Sequence, residues 1–178
     1  MKVVIVGCGR VGAAFAEAFA GLGHNVTILD TSTRAFDRLS DAFSGQALRG
    51  DGTDEDVLRR ADAEDADVFV ALTEGDNRNI MAAQVAMENL GAKRAIAKIN
   101  DPVRAAAYAE LGIATICRTT MLTDALLGYL GLRQTGMPSV IAPVPHVHEA
   151  GPPKLGASPL SGAGGGVERA TGSRSTEA

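Results

Sequence analysis

Hydrophobic and polar positions alternate in two rhythms along the first 130 or so residues. Val3-Val4-Ile5-Val6 opens the chain with four apolar residues and no polar one between them, the pattern of a strand buried on both faces. Residues 13–22 then carry apolar positions at helical spacing, and residues 25–29 return to a strand. The same exchange of strand-length and helix-length runs continues. It predicts a helix over 32–42, a short strand over 46–49, a helix over 54–61 and the strongest buried strand over 67–72. A helix over 76–90 leads to a strand over 94–98, a helix over 102–110 to a strand over 113–116, and a last helix spans 119–130. Asp76 and Thr119 read as N-caps, and Pro102 stands in a first helical turn after Asp101. Six strands alternating with helices predict an α/β fold, a doubly wound parallel six-stranded sheet with helices on both faces.

The rhythm stops after Leu132. Residues 133–178 hold six of the seven prolines, eight glycines and no Phe, Tyr or Trp, so they have little apolar surface to set against their chain entropy. The expectation is a folded domain over 1–132 and a disordered Pro/Gly-rich tail over 133–178, in which only Ser139-Val140-Ile141-Ala142 is apolar enough to pack locally. His146 and His148 form an H-x-H in that tail without further ligands around them, which gives a metal site no support.

The first strand breaks directly into Gly7-Cys8-Gly9-Arg10-Val11-Gly12, a G-x-G-x-x-G with a helix after it and a second strand beyond. Gly7 suits a tight turn, Gly9 lets a pyrophosphate approach the backbone, and Gly12 lets the helix lie close on the strand. The free N–H groups of that helix would face the phosphates with the positive end of the macrodipole behind them. An acid, Asp30, ends the second strand 18 residues past Gly12. There it either accepts hydrogen bonds from an adenosine ribose, or stands as a solvated acid at the strand end, or caps the next helix. In the first role it repels a 2′-phosphate, which favours NAD(H) over NADP(H), and it serves the ribose of ATP, ADP or AMP equally well. These features make the fold Rossmann-like.

Arg10 places a cation in the first turn of a helix, against the macrodipole, at a cost of roughly 0.3–1 kcal/mol that a bound polyphosphate would reverse. The alternative is a surface arginine whose cost is tolerated. Asp51, within Gly50-Asp51-Gly52-Thr53-Asp54, closes the third strand near the adenine end of the expected crevice. It either frames the base or shapes a turn. Thr73 and Glu74 follow the fourth strand at the topological switch point. Asn77, Arg78 and Asn79 open the next helix, and Lys98 ends the fifth strand. Each of these either contacts a ligand or serves the fold.

Charge and composition narrow the function. A net charge of −4 and a pI near 5.4, with no basic stripe, argue against nucleic acid. No run approaches the ~18 apolar residues of a membrane span, and Met1-Lys2 leads straight into strand residues without a signal-peptide pattern. The two cysteines, Cys8 and Cys117, are expected as reduced thiols of a cytosolic protein. Hydride-transfer enzymes need a second substrate pocket and an acid or base near the nicotinamide. The Rossmann unit takes up the periodic chain, there is no Tyr-x-x-x-Lys pair, and His24 falls in the turn before the second strand, away from the crevice. The expectation is a site that binds without reacting.

The glycine loop, the Gly50-Asp51-Gly52-Thr53 turn, Ala71-Leu72-Thr73-Glu74-Gly75-Asp76-Asn77 with Asn79, Ala97-Lys98-Ile99-Asn100-Asp101-Pro102 and Leu111-Gly112-Ile113 occur in order. As a set they resemble the N-terminal nucleotide-binding domain of TrkA/KtrA-type potassium-uptake regulators, the RCK or KTN domain, over residues 1–130. The resemblance implies a cytosolic subunit, peripheral to the inner face of the cell membrane, that binds NAD(H) or ATP/ADP and gates a membrane potassium channel or transporter. It implies Gly7, Cys8, Gly9, Arg10, Val11 and Gly12 around the phosphates, Asp30 with Thr31 at the ribose, and Asp51, Gly52 and Thr53 by the adenine. Thr73, Glu74, Asn79 and Lys98 would line the rest of the crevice. It also implies assembly into dimers and larger rings through the helix over 119–131, whose Met121, Leu122, Ala125, Leu126, Tyr129 and Leu130 form an apolar stripe. The chain departs from the family in having no recognisable C-terminal ligand domain, which suggests a stand-alone module or one half of a two-protein system. The other functions compatible with the sequence are a small NAD-dependent oxidoreductase completed by a partner chain and the regulatory arm of a cation/proton antiporter.

Overall fold

The computed structural model describes residues 1–110 and 112–142. The element order begins with β1 (Lys2–Val6), α1 (Arg10–Gly21), β2 (Asn25–Asp30), a short 3-10 helix (Thr33–Arg38), β3 (Gln46–Arg49), α2 (Glu55–Arg60) and β4 (Val68–Ala71). It continues with α3 (Asp76–Gln84), β5 (Ala95–Ile99), α4 (Pro102–Ala109), β6 (Ala114–Cys117), α5 (Arg118–Tyr129) and β7 (Val140–Ile141). The strands form one sheet in the order β3-β2-β1-β4-β5-β6-β7. Six are parallel, in the doubly wound order with its switch point between β1 and β4.

The uninterrupted apolar runs are explained by burial on both faces. Along β1, Val3 and Ile5 belong to one core cluster with Val26, Ile28, Val68 and Val70 under α1 and the 3-10 helix. Val4 and Val6 turn the other way, into a cluster with Leu29, Phe69 and Ile99 under α2, α3 and α4. The helices present mainly alanines to the sheet: Ala13, Ala16 and Ala20 from α1, Ala82 and Ala83 from α3, Ala105 and Ala109 from α4. Small side chains there let each helix axis lie close over the large strand residues.

Several expectations change. The sheet has seven strands among the described residues, because Val140–Ile141 pairs antiparallel with β6 (Thr115 with Ile141, Ile116 with Val140) and Ser139 O accepts from Cys117 N at 2.7 Å. The apolar dipeptide covers the edge of β6, so ordered chain extends past Leu132. Residues 143–178, with His146 and His148, and Leu111 lie outside the described residues. The helix expected over 32–42 is only the 3-10 turn Thr33–Arg38, which buries little beyond Ala35. The helix expected over 76–90 is α-helical to Gln84 and then widens into a π turn, Val85–Asn89.

Two of the expected caps serve elsewhere. Asp76 is the first residue of α3, behind the cap residue Gly75, and its carboxylate accepts from Asn100 N (2.9 Å), Asn100 Nδ2 (2.8 Å) and Asp101 N (3.1 Å). It clamps the β5–α4 turn. Thr119 lies inside α5 and donates its hydroxyl to Asn100 O at 2.6 Å. Asp101 does cap α4, accepting from Val103 N at 2.9 Å, with Pro102 at the start of the helix.

Two glycines determine how α1 meets β1. Gly7 turns the chain with φ +105°, a left-handed conformation that side chains resist. At Gly12 a Cβ would overlap the carbonyl oxygen of Gly7, so helix and strand end are in backbone contact. Gly12→Ala should therefore destabilise the domain by about 1–3 kcal/mol through overpacking, lowering its melting temperature and opening the loop. Thermal unfolding followed by circular dichroism checks this.

At the opposite edge Asp67 accepts from Lys2 N (2.8 Å) and Lys93 Nζ (2.6 Å), which together tie the starts of β1 and β4 to the turn before β5. The lysine contact above all, then the Lys2 N–H, holds its carboxyl down at about 2. Its contribution is complete above the ordinary aspartate value, about 3.9, and is lost as the pH falls through about 2. Asp67→Asn should flatten the loss of melting temperature between pH about 4 and about 2, measured against the parent chain.

Candidate functional site

The carboxyl ends of β1, β2, β3 and β4 surround an open crevice of about 220 Å3. Gly7, Gly9, Asp30, Thr31, Asp51, Gly52, Thr73 and Glu74 line it together, as the sequence predicts, with Gly50, Leu72 and Arg78 completing the wall. A second chamber of about 330 Å3 lies on the other side of the glycine loop and shares Gly9, Leu72 and Glu74 with the first. It is lined further by Arg10, Val11, Gly12, Lys98 and Arg118. A Cβ on Gly9 would meet nothing within 4 Å, so the backbone there is open to a ligand.

Asp30 is placed by β2 and oriented by backbone. Its Oδ2 accepts from Cys8 N at 2.8 Å and its Oδ1 from Ser32 N at 2.9 Å. The carboxylate thus spans the glycine loop and the turn after β2. Each oxygen keeps a lone pair for a further donor, so holding the loop and binding two ribose hydroxyls are compatible. Beside it a shallow recess carries Ser32, Arg34 and Arg38. The Cys8 side chain is buried, its thiol donating toward Ala35 O at 3.3 Å, and burial followed by the nearby Asp30 charge pushes its pKa up. A thiol held protonated in this way is not a nucleophile.

Asp51 accepts from Thr53 N (3.0 Å) and Thr53 Oγ1 (2.9 Å). The backbone N–H lowers its pKa most, with the Thr53 hydroxyl and Arg78 adding to the effect against burial, so an ionised carboxylate faces the crevice. Thr53 lines neither cavity; it positions Asp51.

Asn79 is the largest departure from the expected geometry. It lines neither cavity, is fully buried, and uses its whole hydrogen-bonding capacity. Its Oδ1 accepts from Thr73 N (2.8 Å) and Thr73 Oγ1 (2.7 Å), and its Nδ2 donates to Thr73 O (3.0 Å) and Lys98 O (2.8 Å). It braces the crevice wall from behind by tying the β4–α3 loop to the end of β5. Sequence reasoning passed over Arg118 altogether. Its signal was available, since it is a second cation at the start of a helix, like Arg10.

Residues 3–119 match the family model of the TrkA-N domain. The chain belongs to the TrkA-N domain family. It is 44% identical over 127 residues to the Trk system potassium uptake protein TrkA of Streptomyces coelicolor, covering 71% of this chain and 57% of that protein, so it spans little more than half of that relative. Among solved structures it resembles Shewanella denitrificans Kef CTD in AMP-bound form, with TM-score 0.60 and 24% identity over 76% of this chain and 85% of that one. It also resembles the GsuK channel bound to NAD, with TM-score 0.60 and 16% identity over 71% of this chain and 23% of that one. At these identities the likeness is one of fold. Within the TrkA-N domain described here, no helix among the described residues is long and apolar enough to cross a membrane.

Asn79→Ala should leave the Thr73 amide and hydroxyl and the Lys98 carbonyl without partners, a loss of about 1–3 kcal/mol. For a domain of this size that lowers the melting temperature by several degrees, at ~2–4 °C per kcal/mol. Calorimetry on the parent and the variant measures it.

Proposed function

We propose that this chain is the nucleotide-binding regulatory subunit of a Trk/Ktr-type potassium uptake system, holding NAD(H) or ATP/ADP at the switch point of its sheet. The observation that carries the reading is the convergence of Asp30, Asp51 and the open Gly9 backbone on one crevice. These supply hydrogen-bond acceptors for a ribose and a base, with helix N–H groups for phosphate between them. The relative in Streptomyces is named as a potassium uptake protein, and two of the solved structures that share the fold are named as bound to AMP and to NAD.

In this reading the domain binds and does not catalyse. Cys8 is held as a buried thiol, and the crevice brings carboxylates, backbone and arginines together without a base set against a nucleophile. Its partner is a membrane potassium transporter on whose cytoplasmic face the chain docks. Assembly with further copies runs through α5, where Thr120 is the buried residue and Met121, Leu122, Leu126, Tyr129 and Leu130 are exposed. Ligand control then requires that the nucleotide bind two states of the assembly with different affinity.

A thermal-shift titration with NADH, NAD, ATP, ADP and AMP tests the reading. At a hundred times its Kd a ligand adds about 2.7 kcal/mol, several degrees of melting temperature. Asp30→Ala should lower the baseline melting temperature, because the Cys8 and Ser32 amides lose their acceptor, and should abolish most of the ligand shift. Absence of a shift with every nucleotide would refute it, as would steady NADH oxidation by the chain with added substrates.

A further inference from the structure

At the amino edge of the sheet, opposite the glycine loop, the starts of β4, β5 and β6 leave a cavity of about 220 Å3. Val68 opens β4, Ile96 is the second residue of β5 and Ala114 the first of β6; with Met87 they form apolar walls. Space is left because a small side chain stands beside a large one: Ala114 lies opposite Ile96 in the β5–β6 register, and both are only partly buried. Gly112, with φ +79°, turns the chain into β6 at the rim. An apolar cavity of about 150 Å3 takes a benzene-sized guest, so this one has room for a body of about six carbons.

Two separate observations bear on what the cavity is for. Met87 belongs to the π turn Val85–Asn89 that follows α3, and π turns are rare and concentrated at functional sites. This one is closed by Ala92 N donating to Ala86 O at 2.9 Å and is tied to α2 by Asn89 Nδ2 donating to Glu55 Oε2 at 2.6 Å. The mouth supplies charge. Lys93 neutralises Asp67 at 2.6 Å, whereas the exposed Arg94 has no carboxylate partner among the described residues. Its contacts are long, to Asp67 O at 3.5 Å and Met1 Sδ at 3.9 Å. A guanidinium left over beside an apolar cavity suits a carboxylate, which it can hold through two parallel hydrogen bonds.

We propose that this cavity binds a small apolar monocarboxylate, with its hydrocarbon body among Val68, Met87, Ile96 and Ala114 and its carboxylate on Arg94. The site lies at the opposite ends of the same strands from the nucleotide crevice and shares no lining residue with it. Burial of the apolar body supplies the affinity, and the guanidinium selects an anion over a neutral or cationic guest of the same length. An ammonium in that position would meet Lys93 and Arg94, two like charges.

Hexanoate is the probe, titrated into the full chain by isothermal calorimetry at low salt beside hexanol, hexylamine and acetate, on the parent, Arg94→Gln and Ala114→Leu. The parent should bind hexanoate saturably and roughly tenfold more tightly than hexanol, as expected for a hydrogen bond to a charged group. Hexylamine and acetate should bind more weakly still. Arg94→Gln, a surface change, should bring hexanoate down to the level of hexanol, and Ala114→Leu should fill the cavity and remove both. In methyl NMR of the parent, the Met87 signal should move with hexanoate while those of Met81, Met121 and Met137 stay in place. Absence of saturable hexanoate binding, hexylamine binding as tightly, or an Arg94→Gln variant that still prefers hexanoate to hexanol would overturn the proposal. So would a Met87 methyl that does not move, a result read on the parent whether or not Ala114→Leu folds.

Discussion

The carboxyl edge of the sheet depends on the backbone contact between Gly12 and the carbonyl of Gly7, which sets α1 directly against the end of β1. Because the helix starts there, its free N–H groups open onto the switch point between β1 and β4. The loop is then held at a second place, where Asp30 accepts from Cys8 N. Steric necessity and one charge-assisted hydrogen bond together form the cradle. A carboxylate that orients the loop while keeping free lone pairs couples the shape of the site to the residue expected to read the ribose.

The far wall has a different support. Asn79 ties Thr73 to the end of β5 with four hydrogen bonds in a fully buried position. Asp76 clamps the next turn in the same way through Asn100 and Asp101. Polar side chains at the start of α3 thus hold the β4–α3 and β5–α4 loops in register, and the crevice walls stand on the sheet edge with little freedom of their own. Buried networks of this kind stabilise one arrangement because each missing partner is expensive.

Asp30 and Asp51 line one chamber together with Arg78, whereas Arg10, Lys98 and Arg118 gather in the other, and Glu74 stands in both. Burial keeps Cys8 protonated, and the Thr53 turn keeps Asp51 ionised. The family relationship fits this picture, since the Streptomyces relative is named for potassium uptake. The exposed apolar positions of α5 follow Arg118 along the same helix.

Strand and helix alternation, the glycine loop and the acid ending β2 were legible from the chain because each rests on local spacing: two-residue and 3.6-residue periods, and glycine where a side chain cannot fit. Of the expected site residues, those at strand ends were legible for the same reason, since a parallel sheet brings its carboxyl ends together. Asn79 and Asp76 were not, and Arg118 showed only its charge beside a helix start. Asn79 and Asp76 look like solvated polar residues at a helix start, and only the packing of α3 against β5 makes one a buried brace and the other a clamp. Arg118 meets Arg10 and Lys98 because β6 and β5 end side by side near α1, a proximity across more than a hundred residues of chain. Val140–Ile141 likewise becomes a strand because β6 presents an open edge. Local periodicity determined the fold and the glycine turn; which polar groups face the crevice and which hold its wall was decided by long-range contacts that no local pattern encodes.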